Sequence, residues 1–505
     1  VSLLTKSKSQ QVFCLALSNL QDRLKPYLEV KTLLSKKDRN SIRQFELTCI
    51  DELVPENHLL RAIERSIDFN FIYDEVKDLY SEDHGRPSVD PVVLIKLLML
   101  QALYGIKSMR QTVEEAQVNV AYRWFLGYGL QEQIPHFSTI SKNYARRFKE
   151  SDLFERIFEQ VLTEAIKCGF IRADAVFIDA THVKASANKK KYIKKMAKHR
   201  VHKYIRDLLL EINEDRKTNG KEPFAEDIED DNKDDNDNIT GDGSKSISGG
   251  KEKIVIESTT DPESGMFYKN EKEKCFAYTV TTACDRNNFI LGLKAVPGNV
   301  HDSQVFSDVF QKVIGKYPET EAVVVDAGYK TPAICREIIK AGKDPIMPYK
   351  RPMTKKGYFS KREYVYDEYY DCYICPNNQV LKYTTTNRSG YREYKSDPNI
   401  CCNCPSRMRC TQSKNYTKVV LRHIWEPYLE RAEDIRYTQR AKELYRMRGE
   451  TIERVFADAK EKHGMRYTQL RGLKKVNHYL TLLFACMNLK KLATWKHRLG
   501  MLAPA

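Results

Sequence analysis

The chain has no long hydrophobic run anywhere in its 505 residues. A membrane-spanning helix needs roughly 18 to 20 consecutive apolar residues, and no stretch of this sequence approaches that length. The first residues include a few apolar side chains, but the apolar segment and small-residue cleavage site of a secretory signal do not follow them. These absences predict a soluble, cytoplasmic protein that has no membrane partner.

A disulfide framework is also not expected. Thirteen cysteines are present, but disulfide scaffolds are a feature of small secreted chains rather than long cytoplasmic ones. One short region holds six of them, namely Cys372, Cys375, Cys401, Cys402, Cys404 and Cys410. Two Cys-x-x-Cys units in this region have the spacing of a structural zinc ribbon. Reduced free thiols are the alternative.

Basic residues outnumber acidic ones outside one acidic segment. The whole chain has a net charge of +16, although residues 221–243 hold ten acidic residues against two lysines, a net of −8. The remainder therefore carries +24. Because so large an excess suits a polyanion, it favours nucleic acid as the partner. A basic soluble protein without a nucleic-acid role is the alternative.

The length predicts two to four domains, and the sequence begins with a helical region. Residues 1–45 are polar, basic and weakly patterned, which predicts a flexible basic arm. Residues 46–150 show helix-spaced apolar positions and end in short helices, a turn and a further helix. Three basic residues lie on that last helix: Lys142, Arg146 and Arg147. The pattern resembles a helix-turn-helix DNA-binding unit, with a small all-α bundle that has a solvated basic face as the alternative.

From residue 170 to 350 the pattern becomes α/β. The predicted order is strand, hairpin, helix, strand, helix, strand, which is the order of an RNase H-like mixed sheet flanked by helices. Two aspartates each follow an apolar, strand-like run, Asp179 after Ala175–Ile178 and Asp326 after Ala322–Val325. Because these two strands are neighbours in that fold, both carboxylates are expected at the same edge of the sheet.

Polar segments interrupt this core. Residues 189–200 are predicted as a basic helix that tracks a phosphate backbone, and a solvated helix is the alternative. The lysines at its start are Lys189, Lys190 and Lys191. Residues 215–252 have few apolar side chains, which predicts a disordered acidic insertion. Residues 351–430 are expected to form a small Cys-rich β insertion.

The C-terminal residues 431–495 return to helix, and one long helix is predicted from about residue 434 to 463. Glu453 and Lys460 are seven residues apart on it. Because a helix turns 100° per residue, these two side chains share one face. Two rival carboxylates lie nearby, Glu450 and Asp458.

The carboxylates predict a metal site. We expect Asp179, Asp326 and Glu453 to meet and to hold two divalent ions. Hard oxygen ligands favour Mg²⁺ or Mn²⁺, and two such ions support in-line displacement at phosphorus. Lys460 and Arg454 are expected to grip phosphates beside them.

Several motifs occur in a fixed order from about residue 46 to 495. A strand ends at Asp179, a distant strand leads into Asp326-Ala-Gly-Tyr329, and a late helix reads Ile452-Glu-Arg-Val-Phe-x-x-x-Lys460. The helical region adds Asp51-Glu-Leu-Val-Pro-Glu-Asn-His-Leu-Leu-Arg61, Gly85-Arg-Pro-Ser-Val-Asp-Pro91 and Tyr122-Arg-Trp-Phe-Leu-Gly127. Together these motifs resemble the bacterial insertion-sequence DDE transposases.

The resemblance implies that Asp179, Asp326 and Glu453 are the DDE triad. Lys460 matches the lysine seven residues after the glutamate in the Tyr-Arg-Glu-Lys signature of one branch. Four cysteines are implied as structural zinc ligands: Cys375, Cys401, Cys404 and Cys410.

The tyrosine and arginine of that signature do not carry over in register. They belong seven and four residues before Glu453, where this chain has Arg446 and Gly449. Tyr445 and Arg448 each lie one residue out of register. The late helix is therefore where the resemblance says least about individual roles.

The implied activity is that of a DNA transposase. Such an enzyme recognises terminal inverted repeats, cuts double-stranded DNA at the element ends and joins them to a target, and it usually acts as a homodimer on paired ends. Two alternatives remain open. One is a non-catalytic DNA-binding repressor derived from a transposase, and the other is an RNase H-like nuclease without strand transfer.

Overall fold

The computed structural model of the chain describes residues 47–81, 88–197, 203–225, 253–268, 274–351 and 354–502. The chain divides into two compact units, Val1–Leu53 and Val54–Ala505. In the first unit the described residues include one short helix, α1 (Ile50–Leu53). The predicted basic arm of residues 1–45 lies outside the described residues.

The second unit begins with helices. They are α2 (Leu59–Glu64), α3 (Phe71–Val76), α4 (Pro91–Tyr104), α5 (Met109–Val118), α6 (Val120–Leu126), α7 (Phe137–Asn143) and α8 (Leu153–Lys167). Most of α4 is buried, in keeping with its almost uninterrupted apolar sequence. The Asp90 carboxylate caps α4 by accepting a hydrogen bond from the Val92 backbone N–H at 2.7 Å, and Pro91 suits the first turn because its missing N–H is not needed there.

A mixed eight-stranded sheet follows. Its strands are β1 (Ala175–Lys184), β2 (Tyr192–Ala197), β3 (Lys253–Ser258), β4 (Gly265–Tyr268), β5 (Lys274–Cys284), β6 (Ile290–Pro297), β7 (Ala322–Val324) and β8 (Asp344–Ile346). The order is β2-β3-β4-β5-β1-β7-β8, and β6 also pairs with β5. Strands β1, β7 and β8 are parallel, whereas β5 pairs antiparallel with β1, β4 and β6. The α/β class predicted from the sequence is confirmed.

The basic run of residues 189–200 does not form the predicted helix. Its central part is strand β2, which pairs antiparallel with β3, and Lys189 and Lys190 lie in the turn before that strand. The helix prediction is wrong because tertiary pairing outweighs intrinsic propensity, and β3 supplies a complementary backbone ladder with Val255 and Ile256. Residues 198–200 lie outside the described part of the chain.

The acidic insertion also begins later than predicted. Helix α9 (Lys203–Thr218) runs through residue 215. The Asn213 side chain then fixes the following segment through two hydrogen bonds to the Phe224 backbone, at 3.1 and 2.8 Å. The expected disorder is therefore wrong for residues 215–225, and residues 226–252 lie outside the described residues.

The register of the parallel strands positions the two predicted aspartates. Phe177 on β1 pairs with Val324 on β7. Asp179 and Asp326 each lie two residues beyond this pair, so the two aspartates are at the same level on neighbouring strands. The prediction that a strand ends at Asp179 is wrong, because β1 continues to Lys184 alongside β5. Helices α10 (Asp302–Lys316) and α11 (Pro332–Lys340) provide the crossover connections from β6 to β7 and from β7 to β8.

The cysteine-containing region holds a second, antiparallel sheet. Its strands, in the order β13-β12-β11-β10-β9, are β9 (Val365–Asp367), β10 (Cys372–Ile374), β11 (Val380–Thr386), β12 (Tyr391–Lys395) and β13 (Val419–His423). Two short helices, α12 (Pro398–Cys401) and α13 (Arg407–Cys410), lie between β12 and β13. Its small core is Tyr364, Tyr373, Leu381, Tyr394 and Val420. An ion pair between Asp215 of α9 and Arg392 of β12 ties this sheet to the preceding part of the chain.

The single long helix predicted for residues 434–463 is wrong. The chain instead forms α14 (Glu426–Tyr437), α15 (Gln439–Met447) and α16 (Ile452–Lys462). The Thr438 side chain ends one helix and caps the next, accepting from the Ala441 N–H at 3.2 Å. The second interruption, at residues 448–451, shapes the candidate site.

The last helix, α17 (Leu473–Arg498), joins the helical region to the sheet. It packs against α8, α2 and α4 on one side and β6 on another. Val476, Leu480, Leu483 and Leu492 are fully buried, because neighbours surround the helix on several faces. Within the described residues, no single helix has the length and hydrophobicity to cross a membrane.

Candidate active site

The predicted carboxylates converge on one arginine, Arg448. Its guanidinium forms an ion pair with Asp179, lies 3.0 Å from Glu453 Oε1 and lies 4.0 Å from Asp326 Oδ1. The Arg448 side chain is 10% exposed, whereas the Glu453 side chain is 55% exposed. Three carboxylates from β1, the end of β7 and α16 therefore surround a single buried cation.

A helix interruption brings Arg448 to this position. The backbone N–H of Glu453 donates to the carbonyl of Arg448 at 3.3 Å, five residues earlier. Thr451 has φ −107° and ψ −101°, outside the helical region. A five-residue hydrogen bond accommodates one more residue than a regular helical turn. On a regular helix, an arginine four residues before Glu453 would face it. Here the additional residue lets Arg448, five residues before Glu453, take that position.

The sequence left Arg448 without an assigned role because it lies one residue out of the signature's register on a helix that was predicted to be continuous. Gly449 is a poor helix former and stands directly after Arg448, so it was the available signal for an interruption. Tyr445 lies near the same groups. Burial raises the pKa of Tyr445, Arg448 opposes this shift, and the carboxylates of Asp326, Glu453 and Asp179 add to it.

Lys460 also lies beside this cluster. Its ammonium donates a hydrogen bond to the hydroxyl of Thr181. Thr181 follows Asp179 by two residues on β1, and alternate residues of a strand share a face. Glu453 and Lys460 are both on α16, so one helix presents a carboxylate and an ammonium towards the end of β1.

The rival carboxylates have other surroundings. Asp458 forms an ion pair with Lys462 at 2.7 Å on the same helix. Glu450 lies in the interruption before α16, and its backbone carbonyl accepts a hydrogen bond from Asn288 at 3.0 Å. Neither carboxylate forms an ion pair with Arg448 in the described part of the chain.

Burial dominates the electrostatics of Asp179. The pKa of this carboxyl is raised to about 6, chiefly by burial, and the charges of Asp326 and Asp302 act in the same direction. Arg448 and the Ala180 N–H, which donates at 2.8 Å, act in the opposite direction. A fourth acidic group, Asp302 in the first turn of α10, thus contributes to the field at the site.

Tyr329 is a further residue of the candidate site to which the sequence assigned no role. It is 2% exposed, and its hydroxyl has no hydrogen-bond partner among the described residues. Burial raises the pKa of Tyr329 well above its usual range, and the charges of Asp302, Asp179 and Asp326 add to this. The hydroxyl therefore remains a protonated donor beside the carboxylates.

The donor set suits a hard divalent cation, but the side chains are not arranged as a metal cage. Carboxylate oxygens are the ligands that Mg²⁺ and Mn²⁺ prefer, and the three carboxylates already converge on one cationic group. Among the described residues, however, no three His, Cys, Asp or Glu side chains are close enough together to hold a metal ion. The Arg448 guanidinium occupies the position between the carboxylates.

The cysteines do not support the predicted zinc site. Cys404 Sγ accepts a hydrogen bond from Asn377 at 3.0 Å, and Cys375 Sγ accepts one from the Gln379 N–H at 3.4 Å. Cys410 Sγ lies 3.1 Å from the Tyr364 hydroxyl. Burial raises the pKa of Cys410, and Cys401 and Cys375 add to this. The described thiols nevertheless form no cluster with ligating geometry.

The basic residues singled out for DNA contact differ in their surroundings. Arg147 is engaged within the fold, since it bonds the Asn143 side chain and the Leu79 carbonyl and lies over the Tyr80 ring at 4.2 Å. The other residues are exposed: Lys142, Arg146, Lys189, Lys190, Lys191 and Arg454. Arg454 directly follows Glu453 in the first turn of α16.

Two family models match separate parts of the chain. The model described as Transposase domain (DUF772) matches residues 48–146. The model described as Transposase DDE domain matches residues 374–493. The second match contains Arg448, Glu453 and Lys460. No curated protein matches the chain.

Proposed function

We propose that this chain, which the two family matches support as an insertion-sequence DDE transposase, cuts DNA at the ends of its element and transfers the cut strands to a target. The observation that carries the proposal is the convergence of Asp179, Asp326 and Glu453 on Arg448. Such a cluster suits polyanion chemistry assisted by divalent cations.

Asp179, Asp326 and Glu453 would hold Mg²⁺ or Mn²⁺. When bound, these ions supply activation of a water or 3′-hydroxyl nucleophile and charge neutralisation at the leaving oxygen. The protein's own contribution is to position groups and to balance charge, because phosphoryl transfer requires little covalent chemistry from side chains. We assign Lys460 to a phosphate oxygen, since its ammonium projects from the same helix as Glu453.

Arg448 has a role in both states of the site. In the free protein it balances the repulsion between carboxylates that would otherwise face one another at close range. With DNA bound, its fork of N–H donors suits a phosphate oxygen pair. Tyr445 lies within the same electrostatic neighbourhood, so we assign the tyrosine and arginine roles of the Tyr-Arg-Glu-Lys signature to Tyr445 and Arg448.

We also infer an RNase H-like core. The supporting features are the antiparallel β5–β6 hairpin beside β1, the parallel neighbours β1, β7 and β8, and helices in the crossovers. The helical residues 46–150 would bind the terminal repeats, with Lys142 and Arg146 exposed for that purpose. Lys189, Lys190, Lys191 and Arg454 would contact the DNA backbone, and two chains would act together on paired ends.

A cleavage and joining assay tests the proposal. Labelled duplexes that carry the element ends are incubated with Mg²⁺ and a target plasmid. The wild type should yield joined product, and Asp326→Asn should abolish cleavage while retaining end binding. Asp308→Asn removes an exposed carboxylate that pairs with Lys294 at 2.7 Å, and it serves as the control.

The outcome separates the alternatives. Cut ends without joined product would indicate an RNase H-like nuclease. A band shift without any cutting would indicate a repressor. Full activity of the Asp326→Asn variant would refute the assignment of the active site.

A further inference from the structure

Two tyrosines and two arginines form a connected row on the surface, which we call the Arg–Tyr ladder. Arg362 lies over the ring of Tyr349 at 4.6 Å, and Arg436 lies over the same ring at 5.4 Å. Arg436 also lies over the ring of Tyr437 at 4.3 Å. The tyrosines are 38% and 63% exposed, so the ladder is accessible to a ligand.

The ladder lies close to the carboxylate cluster. The Val325 N–H, next to Asp326, donates to the Ile346 carbonyl at 3.0 Å. Tyr349 follows Ile346 by three residues, a span of at most roughly 10 Å. Lys330, four residues after Asp326, pairs with Glu433 and donates to the Pro348 carbonyl at 3.4 Å. Both features therefore lie at the same end of β7 and β8.

The ladder carries an unbalanced positive charge. Lys350 and Arg351 are exposed and directly follow Tyr349. In the described part of the chain, Lys350, Arg351 and Arg362 form no ion pair with a carboxylate. Glu433 pairs with Lys330 and with Arg436 of the ladder, and Glu426 pairs with Lys361. A polyanion would therefore meet Lys350, Arg351 and Arg362 without a competing internal ion pair, and it would share the Arg436 guanidinium with Glu433.

Stacking prepares the two arginines for phosphate. An arginine over an aromatic ring keeps its guanidinium plane fixed while its N–H edges remain directed outward. Those edges match the paired oxygens of a phosphate. Fixing them in advance lowers the entropy lost on binding.

We propose that the Arg–Tyr ladder is a phosphate-binding track that guides a DNA strand into or out of the carboxylate cluster. The inference rests on the proposed transposase function. It adds a surface contributed jointly by the loop after β8, the turn before β9 and helix α14. An acidic protein segment is the rival ligand for the same charges.

Salt dependence of binding provides the test. The full chain is titrated with a fluorescent duplex of the element end at several salt concentrations. Each phosphate contact contributes about 0.9 to the slope of log K against log salt. The double variant Arg362→Gln/Arg436→Gln should lower that slope by about 2 and weaken binding at low salt.

A matched control isolates the ladder. Arg407 lies over the exposed Tyr416 ring at 5.0 Å and belongs to the same cysteine-containing region. Arg407→Gln removes an arginine–tyrosine stack outside the ladder and should leave the slope unchanged. Arg362→Lys keeps the charge but loses the planar fork, so it should retain the slope and lower the affinity. Melting curves check that each variant folds.

The outcomes distinguish failure of the ladder proposal from failure of the proposed transposase function. A double variant that folds and binds with the wild-type slope and affinity overturns the ladder, while cleavage by the wild type leaves the transposase proposal intact. Wild-type protein that neither binds nor cuts the duplex overturns the function itself. Loss of binding to an acidic peptide, without change for the duplex, would assign the ladder to a protein partner and overturn the DNA track.

Discussion

Arg448 Nη1 lies 3.0 Å from Glu453 Oε1 across an interruption between two helices. A backbone hydrogen bond spans the same five residues, from the Glu453 N–H to the Arg448 carbonyl. Arg448, which lies one residue out of register relative to Glu453 in the sequence, is thereby its neighbour in space. The interruption also makes one side chain the partner of three carboxylates.

Replacing Arg448 by Gln should destabilise the metal-free protein. The variant leaves the buried Asp179 without its ion-pair partner. We expect the free energy of unfolding to fall by about 3 kcal/mol, because an unpaired charge remains buried. Mg²⁺ or Mn²⁺ should then raise the melting temperature more in the variant than in the wild type, because it restores the missing positive charge. Thermal unfolding with and without metal measures both effects.

Arg446→Gln is the matched control for that prediction. Arg446 is exposed and stands at the position where the family register places a tyrosine. Its loss should leave the melting temperature within experimental scatter. Equal melting temperatures for the Arg448→Gln variant and the wild type would refute the role of Arg448 as the internal counter-ion.

Deleting Gly449 should preserve the relationship between Arg448 and Glu453. The deletion places the arginine four residues before the glutamate, and a regular helix brings such residues together. We expect a folded protein that retains end cleavage within about tenfold of the wild type. Deleting Arg448 instead has the same effect on chain length but removes the guanidinium, and it should abolish cleavage. Equal activities of the two deletions would contradict the register argument.

Lys460→Met should reduce cleavage without abolishing DNA binding. The ammonium is assigned to a phosphate whose charge increases during the reaction, and removal of one such electrostatic contact typically lowers the rate by roughly 100-fold or more. Single-turnover cleavage at saturating protein measures the rate. Lys462→Met, two residues away and paired with Asp458, should have little effect. Loss of activity in both variants would point to general helix damage.

Tyr329→Phe should leave stability unchanged or slightly improved. Its hydroxyl is buried without a partner among the described residues, so removing it abolishes an uncompensated desolvation cost. Cleavage should nevertheless fall by about tenfold, because a donor beside the carboxylates is lost. Chemical denaturation and single-turnover kinetics give the two readouts.

Tyr317→Phe provides the comparison for Tyr329. Tyr317 is 3% exposed, and its hydroxyl also lacks a partner among the described residues. The residue ends helix α10, and its pKa is raised by burial and then by Asp285 and Glu319 rather than by the cluster. It should show the same stability effect as Tyr329→Phe with wild-type cleavage. A loss of cleavage in both variants would remove the specific role of Tyr329.

The sequence was informative where local pattern and tertiary structure agree. The apolar runs before Asp179 and Asp326 lie on adjacent parallel strands, because such runs can be buried on both faces of a sheet. The hairpin of β5 and β6 and the crossover helices follow from equally local signals. These features sufficed to predict that the two aspartates lie on neighbouring strands, although β1 continues five residues past Asp179.

Features that depend on long-range contacts were not predictable. The basic run after Lys189 becomes a strand because β3, far along the chain, pairs with it. Arg448 enters the cluster because one additional residue in a helix rotates it towards Asp179, and helix-period reasoning assumes a fixed rotation per residue. The cysteine spacing suits zinc, but spacing does not determine how the surrounding turns orient the thiols.

The closing helix α17 has a consequence for biosynthesis. It supplies part of the core against which α2, α4 and α8 pack, and His478 lies 3.0 Å from the Tyr144 hydroxyl. The ribosome makes the helical region first, yet that region cannot complete its hydrophobic contacts until residues after Leu473 have emerged. Nascent or prematurely terminated chains would expose this unfinished surface to chaperones and proteases. The amount of folded protein in a cell would therefore depend on how often translation reaches the last helix.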